Sequence, residues 1–327
     1  MFFKQSRNLG KAFQYFIVTR GIKQNANLAN SNQFTPVEVN VPWGKIAGKL
    51  WGSTNKQPIL SIHGWQDNAG TFDMIAPLLK NSSVLAIDLP GHGWSSWLPR
   101  GIPYNEDISV ECIRIIVNHF GWNEVKLLGH SMGGILCFNY ARLYPEETKF
   151  VISIDSLAFA PNNMTSHSQR RARAIDRLIN FEKKMINGPP SYPEEILIQK
   201  WIDATFFSDL DVPTTKVLMI RGANKKADGT YYYTRDFRLT IDGFNSCYTQ
   251  EEIKEMAQLI TCPYLVIKAT KSPFYKKQAY WSEVSSILKY SSKDFRSVHL
   301  DGSHHLHMMQ QDKVADVMNS FLEKYDV

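Results

Sequence analysis

Acidic residues are missing from the start of this sequence. None occurs before Glu38, whereas Lys4, Arg7, Lys11, Arg20 and Lys23 are all basic. The chain of 327 residues carries 37 lysines and arginines against 31 aspartates and glutamates. Without those five cations, 32 basic residues face 31 acidic ones, so the net charge of +6 falls to +1. The body is close to neutral and lacks the basic footprint of a nucleic-acid binder. Long apolar runs are also missing. Stretches such as Phe16–Val18 and Val151–Ile152 fall far short of the roughly 20 residues that cross a bilayer as a helix, so no integral membrane segment is expected. Cysteine is scarce and widely spaced, at Cys112, Cys137, Cys247 and Cys262. That excludes a metal knuckle, a redox pair and a disulfide scaffold. The four are expected as reduced, small hydrophobes in an intracellular compartment. No convincing glycine-rich dinucleotide motif follows a strand, and no cofactor is expected.

At about 100° per residue, Lys4, Arg7 and Lys11 fall on one arc of a helix, with Phe2, Leu9, Phe13 and Phe16 opposite. A basic amphipathic stretch without acids has the character of a mitochondrial transit peptide or a membrane-surface helix. It reads equally well as a plain basic extension. Localisation is thus cytoplasmic, or mitochondrial if the first 24 or so residues are a targeting signal. Residues 25–33 read as a linker, which makes 1–33 an N-terminal extension.

From Phe34 onward strand and helix patterns alternate, the rhythm of an α/β fold with a mostly parallel sheet and helices on both faces. A β meander is expected over Thr35–Leu50, then strands at Pro58–Ile62, Val84–Ile87, Val125–Leu128 and Phe150–Ile154. Helices are expected over Ala69–Lys80, Glu106–Phe120 and Met132–Tyr144. In the second, Ile108, Cys112, Ile115, Ile116 and Phe120 share one face. The rhythm breaks between residues 157 and 258, where helical patterns (Ser168–Ile186, Pro193–Thr205) and a hairpin at Asp228-Gly229 precede Tyr231–Tyr233. It returns with strands at Tyr264–Ile267 and Arg296–Leu300 and a last helix from about Lys313 to Tyr325. The division expected is a core of residues 34–156 and 259–327, with a mainly helical cap, 157–258, inserted after the sixth strand.

Gly129-His130-Ser131-Met132-Gly133 lies between a buried strand and a helix and is followed by Gly134. In a nucleophile elbow the serine sits on a strained strand-to-helix turn, the glycines leave room for it, and the helix N-terminus favours developing negative charge. Ser131 is the candidate nucleophile. His63-Gly64-Trp65 ends an earlier strand, where a second backbone donor is needed. The candidate oxyanion hole is the amide pair of Trp65 and Met132. His63 itself reads as a structural hydrogen-bonder. A histidine base must come late in this chain order, and Gly302-Ser303-His304-His305-Leu306-His307 follows the last strand. His304 is the first candidate, His305 the second and His307 the third, while His299 reads as core. A His-rich metal site is the competing reading. No carboxylate or cysteine cluster accompanies these histidines in the sequence, so no metal is expected.

The acid is the least usual part. The loop after Lys268 holds no carboxylate before Glu283. Ile152-Ser153-Ile154-Asp155 instead places Asp155 at the end of the strand beside the elbow, from where an acid can reach a histidine on the last loop. Capping of the insertion by Asp155, or a Ser-His dyad, are the alternatives. Asp88 and Asp301 read as structural.

The order Ser131, Asp155, His304, with the elbow and His63-Gly64, resembles the α/β-hydrolase superfamily. The stretch from His63 to Phe72, together with Asp88-Leu89-Pro90-Gly91-His92-Gly93 and Gly302-Ser303-His304, is similar to the animal serine hydrolase-like (kraken-type) family. The resemblance spans about Val37 to Leu322 and implies a serine-dependent hydrolase with a lid over its site. Epoxide hydrolases and haloalkane dehalogenases place an aspartate at the elbow, where this chain has Ser131. The expected activity is hydrolysis of a carboxylic ester, thioester or lactone of a small, largely apolar substrate through an acyl-enzyme. The rival is a non-catalytic small-ligand binder on the same fold. The aromatic residues of the insertion (Phe159, Phe181, Trp201, Phe206, Phe207, Tyr231–Tyr233) are expected to shape an apolar pocket. Arg170, Arg171, Arg173 and Arg221 are candidates for meeting a substrate anion or for a solvated face. Trp94 and Trp97 would line the entrance or pack. Oligomeric state is left open.

Overall fold

Short strands with apolar residues on both faces recur through the chain, as a parallel sheet covered on two sides requires. A computed structural model describes residues 34–184, 188–205, 208–273 and 278–326. The basic segment 1–33, with the targeting question attached to it, lies outside them, as do Phe206 and Phe207.

The chain opens with β1 (Thr35–Val41), β2 (Gly44–Trp51), β3 (Ile59–Ile62) and β4 (Val84–Ile87), followed by α1 (Glu106–Phe120), β5 (Val125–His130), α2 (Met132–Leu143) and β6 (Thr148–Ile154). Next come α3 (Met164–Lys184), α4 (Glu194–Ala204), α5 (Val212–Gly222), the hairpin strands β7 (Ala223–Lys225) and β8 (Tyr231–Tyr233), and α6 (Gln250–Gln258). It closes with β9 (Tyr264–Ala269), α7 (Gln278–Ser291), β10 (Phe295–Leu300), the short α8 (Leu306–Met309) and α9 (Gln311–Tyr325).

One eight-stranded sheet has the order β1-β2-β4-β3-β5-β6-β9-β10. The β1–β2 and β2–β4 pairs are antiparallel and the rest parallel. Successive residues alternate between two apolar layers. Leu60, Ile62, Leu85, Ile87, Leu127, Val151 and Val266 join the layer of α1, α2, α6 and α7. Ile59, Val84, Leu128, Ile152, Leu265 and Ile267 join the layer of α9. The carboxyl ends of β3, β4, β5, β6, β9 and β10 therefore form one rim, the edge where open α/β sheets carry their sites.

Three local expectations change. In place of a helix over 69–80 there are two 3-10 turns, Ala69–Phe72 and Ala76–Leu78. Asn68 caps the first, and Pro77 removes the donor a continuous helix would need. The inner face of α1 is Val110, Cys112, Ile113, Ile116 and Val117, with Ile108, Ile115 and Phe120 only half-buried at its margin. His299 is exposed because β10 is the edge strand of the sheet. Helices α5, α6 and α7 are additional to the elements expected from the sequence. Helix α6 closes the insertion in chain order yet packs with α7 in the core layer through Ile253 and Ala257.

Candidate active site

Ser131 follows β5 and stands at the N-cap of α2 with φ 53° and ψ −119°. A non-glycine residue at such angles is strained and persists only where its surroundings enforce it. The enforcement is visible in the glycines. A Cβ on Gly129 would overlap the Gly133 carbonyl, and one on Gly133 would overlap the Ile62 carbonyl. A Cβ on Gly64 would lie 3.2 Å from Ser131 Cβ, so the loop after β3 passes directly beside the elbow. Serine at an N-cap ordinarily spends its hydroxyl on the helix. Ser131 makes no such capping bond.

Asp155 ends β6 on the neighbouring strand, and its Oδ2 lies 2.6 Å from His304 Nδ1. Its Oδ1 accepts from the Ala269 amide at 3.0 Å. Both groups are buried. Burial pulls the His304 pKa below the ordinary imidazole value, against the opposing pull of the Asp155 hydrogen bond. The ring is therefore neutral at pH 7, able to take a proton, and its Nδ1–H donates to the carboxylate. His304 is tied to the elbow through its own carbonyl, which accepts from His130 Nε2 at 3.0 Å. The structure thus brings together Asp155, His304 and the turn that carries Ser131.

The loop after β3 is held as rigidly as the elbow. His63 Nδ1 donates to the Gly64 carbonyl at 2.7 Å, and its Nε2 accepts from the Leu89 amide at 3.0 Å. Gln66 takes a left-handed φ of 61°, and its amide donates to His92 Nε2 at 3.2 Å. Trp65 follows Gly64 on this loop, and Met132 is the first residue of α2, whose leading N–H groups have no partner within the helix. The Trp65 side chain extends outward and donates to the Leu239 carbonyl of the insertion at 2.8 Å.

Residues 57–309 match the family model described as alpha/beta hydrolase fold. The chain belongs to the α/β-hydrolase family. Among α/β-hydrolases it is 35% identical over 301 residues to the Drosophila melanogaster protein named "Probable serine hydrolase", covering 91% of this chain and 90% of that one. It is 32% identical over 300 residues to human "Serine hydrolase-like protein 2", covering 88% and 93%. The crystal structure of hypothetical protein PA1622 from Pseudomonas aeruginosa PAO1 shares the fold with a TM-score of 0.79, at 24% identity over 88% of this chain and 99% of that one.

Other residues of this α/β-hydrolase fall differently from their sequence reading. Arg221 does not meet a substrate: it is buried and forks onto Asp88 with bonds of 2.6 to 3.2 Å. Asp88 also accepts from the Ala69 and Trp94 amides, so it is structural, as expected. Asp301 is exposed and pairs with Lys271. Trp94 stacks on Arg221 at 4.1 Å, and Trp97 donates to the Thr234 carbonyl. Arg170 bonds Asn162, and Arg171 lies over Phe244. Of the later histidines, His305 stands at the N-cap position of α8 without a capping bond and pairs with Ser208 at 2.8 Å, while His307 meets Thr71 at 2.8 Å. All four cysteines are free, and Cys112, Cys137 and Cys262 are buried. Among the described residues no helix is long and apolar enough to cross a membrane.

Asp67 is the residue that sequence reasoning passed over. It lies four positions after His63, and the fold carries it to the histidines of the last loop. Ligating atoms of Asp67, His130 and His305 all lie within 4.8 Å of one another.

Proposed function

We propose that the protein is a serine hydrolase that cleaves a carboxylic ester of a small, largely apolar substrate. The observation that carries the reading is the 2.6 Å His304–Asp155 pair set beside a strained Ser131. In this reading Ser131 Oγ attacks the carbonyl carbon while His304 takes its proton. Asp155 holds the imidazole in its tautomer and stabilises the imidazolium. The negative oxygen is met by the Trp65 and Met132 amides, each donor being worth about 10²–10³ in rate. His304 returns the proton to the leaving oxygen, and water resolves the acyl-enzyme by the same route. A thioester or lactone would use the same parts.

Residues 157–258 act as the lid. Leu197, Trp201, Leu218, Met219 and Tyr233 form an apolar core that seats this segment on Met308, beside the His-rich turn. A ligand binder would have no use for strain at Ser131 or for a buried, carboxylate-paired imidazole.

A fluorescent fluorophosphonate tests the reading. Labelling of the wild type is expected to vanish in Ser131→Ala and to fall sharply in Asp155→Asn and His304→Ala. Short- and long-chain p-nitrophenyl esters then grade the acyl pocket. A folded wild type that takes no label overturns the hydrolase reading in favour of the binder.

A further inference from the structure

Behind the nucleophile turn lies a second cluster of chemistry-bearing side chains that ester hydrolysis does not use. Asp67, His130 and His305 are all buried, and their ligating atoms come within 4.8 Å of one another. Two buried atoms of these residues, His130 Nδ1 and Asp67 Oδ2, have no hydrogen-bond partner among the described residues. An orphaned buried acceptor costs about 1–3 kcal/mol, and a cation held by these residues would satisfy both.

The outward bonds of the cluster fix the tautomer of His130 and allow the matching one for His305. His130 Nε2 faces the His304 carbonyl at 3.0 Å, and a carbonyl can only accept, so that nitrogen bears the hydrogen and Nδ1 bears the lone pair. His305 Nδ1 faces Ser208 Oγ at 2.8 Å, and its Nε2 lies 3.7 Å from Asp67 Oδ2. At 3.7 Å this is no hydrogen bond. With Nδ1–H donating to Ser208, Nε2 offers its lone pair beside the carboxylate. Asp67 Oδ1 is fixed by the Asn68 amide at 2.9 Å. Metal-binding histidines characteristically donate their other ring N–H to a carbonyl or oxygen, which holds the ring and its tautomer. Both histidines here are held in that manner.

We propose that Asp67 Oδ2, His130 Nδ1 and His305 Nε2 bind one divalent transition-metal cation of the zinc class. Two imidazoles and a carboxylate are borderline donors that suit zinc and cobalt better than magnesium or calcium. Three protein ligands leave one position for water. Bonds of about 2.0–2.2 Å put ligand atoms about 3.4 Å apart, a separation that Asp67 Oδ2 and His305 Nε2, at 3.7 Å, already approach.

Cobalt(II) titration of the full-length protein tests the proposal by a readout independent of whether Ser131 is a nucleophile. The wild type is expected to take up one equivalent and to show the visible bands of a low-coordinate cobalt–imidazole centre, which zinc displaces. Asp67→Asn and His305→Gln, each shown to be folded by circular dichroism, should bind at least tenfold more weakly. No saturable spectrum from the folded wild type overturns the site. An undiminished spectrum in both folded variants overturns it equally.

Discussion

Ser131 and Asp155 occupy equivalent places on adjacent strands. Each follows the last residue of its strand with a left-handed φ, 53° and 51°, and each donates its amide to the next strand over. Ser131 bonds the Ile154 carbonyl at 3.0 Å, and Asp155 bonds the Ile267 carbonyl at 2.7 Å. The candidate nucleophile and acid are thus one structural motif used twice, locked to each other through a single peptide.

The consequence for mutagenesis is that charge and backbone at position 155 separate. Asparagine tolerates a left-handed φ, so Asp155→Asn should fold normally while kcat falls by about 10⁴ through loss of the imidazole's orientation. Asp155→Val adds a β-branched residue at a positive φ and should also be destabilised, by at least 1 kcal/mol. Ester turnover and denaturant midpoints for the pair check this. Equal stability losses in both variants would contradict it.

Acid should unfold the protein through its histidines. Burial lowers the pKa of His63, His92, His130, His304 and His307. Above the unfolded value of about 6.5 neither state binds these protons and the stability is fully present. Below it the unfolded chain takes them up and the folded chain does not, so stability is lost as pH falls, by up to ~1.4 kcal/mol per pH unit for each histidine. Urea midpoints at pH 7.5 and 5.5 should differ strongly. Equal midpoints would mean these rings are charged in the fold.

Arg221→Met should be costly. It leaves the Asp88 carboxylate buried without its cation, a change worth about 3–5 kcal/mol in comparable sites. Asp88→Asn in the same chain should recover part of the loss by removing the buried charge, and only part, because its single carbonyl can accept just one of the Ala69 and Trp94 amides that Asp88 meets with separate oxygens. Equilibrium unfolding of the single and double variants measures the coupling, and strict additivity would refute it.

Gly133→Ala and Gly134→Ala should differ. The new methyl at 133 meets the fixed Ile62 carbonyl, whereas at 134 it meets the Ser153 and Ser156 hydroxyls, which can turn aside. We expect Gly133→Ala to lose about 1–3 kcal/mol together with fluorophosphonate labelling, and Gly134→Ala to lose less. The reverse order would place the tight approach elsewhere on α2.

The rim was legible in the sequence wherever local signals suffice. A strand buried on both faces writes an apolar run, and the glycines of the elbow mark the place where α2 must approach β3. Asp155 was readable by elimination, from the carboxylate missing after Lys268. The approach of Asp67 to His305 was not, because nothing local connects the two; only the assembly of the sheet does. The same holds for Arg221, whose partner Asp88 lies far away in sequence. Helix α6 did leave a signal, the capping box of Thr249 and Glu252, in a stretch whose composition drew the eye elsewhere. Helix α5 begins with Val212-Pro213 and carries a weak apolar periodicity, and its position is set by packing on Trp201 and Met308.

The Arg221–Asp88 fork crosses from the insertion to the loop after β4, and Asp88 in turn organises the amides of Ala69 and Trp94. Exchange of the 157–258 segment for that of a relative is consequently not a modular operation. A chimera whose new segment lacks a cation at this point would abandon a sealed negative charge in the interior. Transplants should succeed only when the arginine travels with the segment, or when Asp88 is neutralised in the same step.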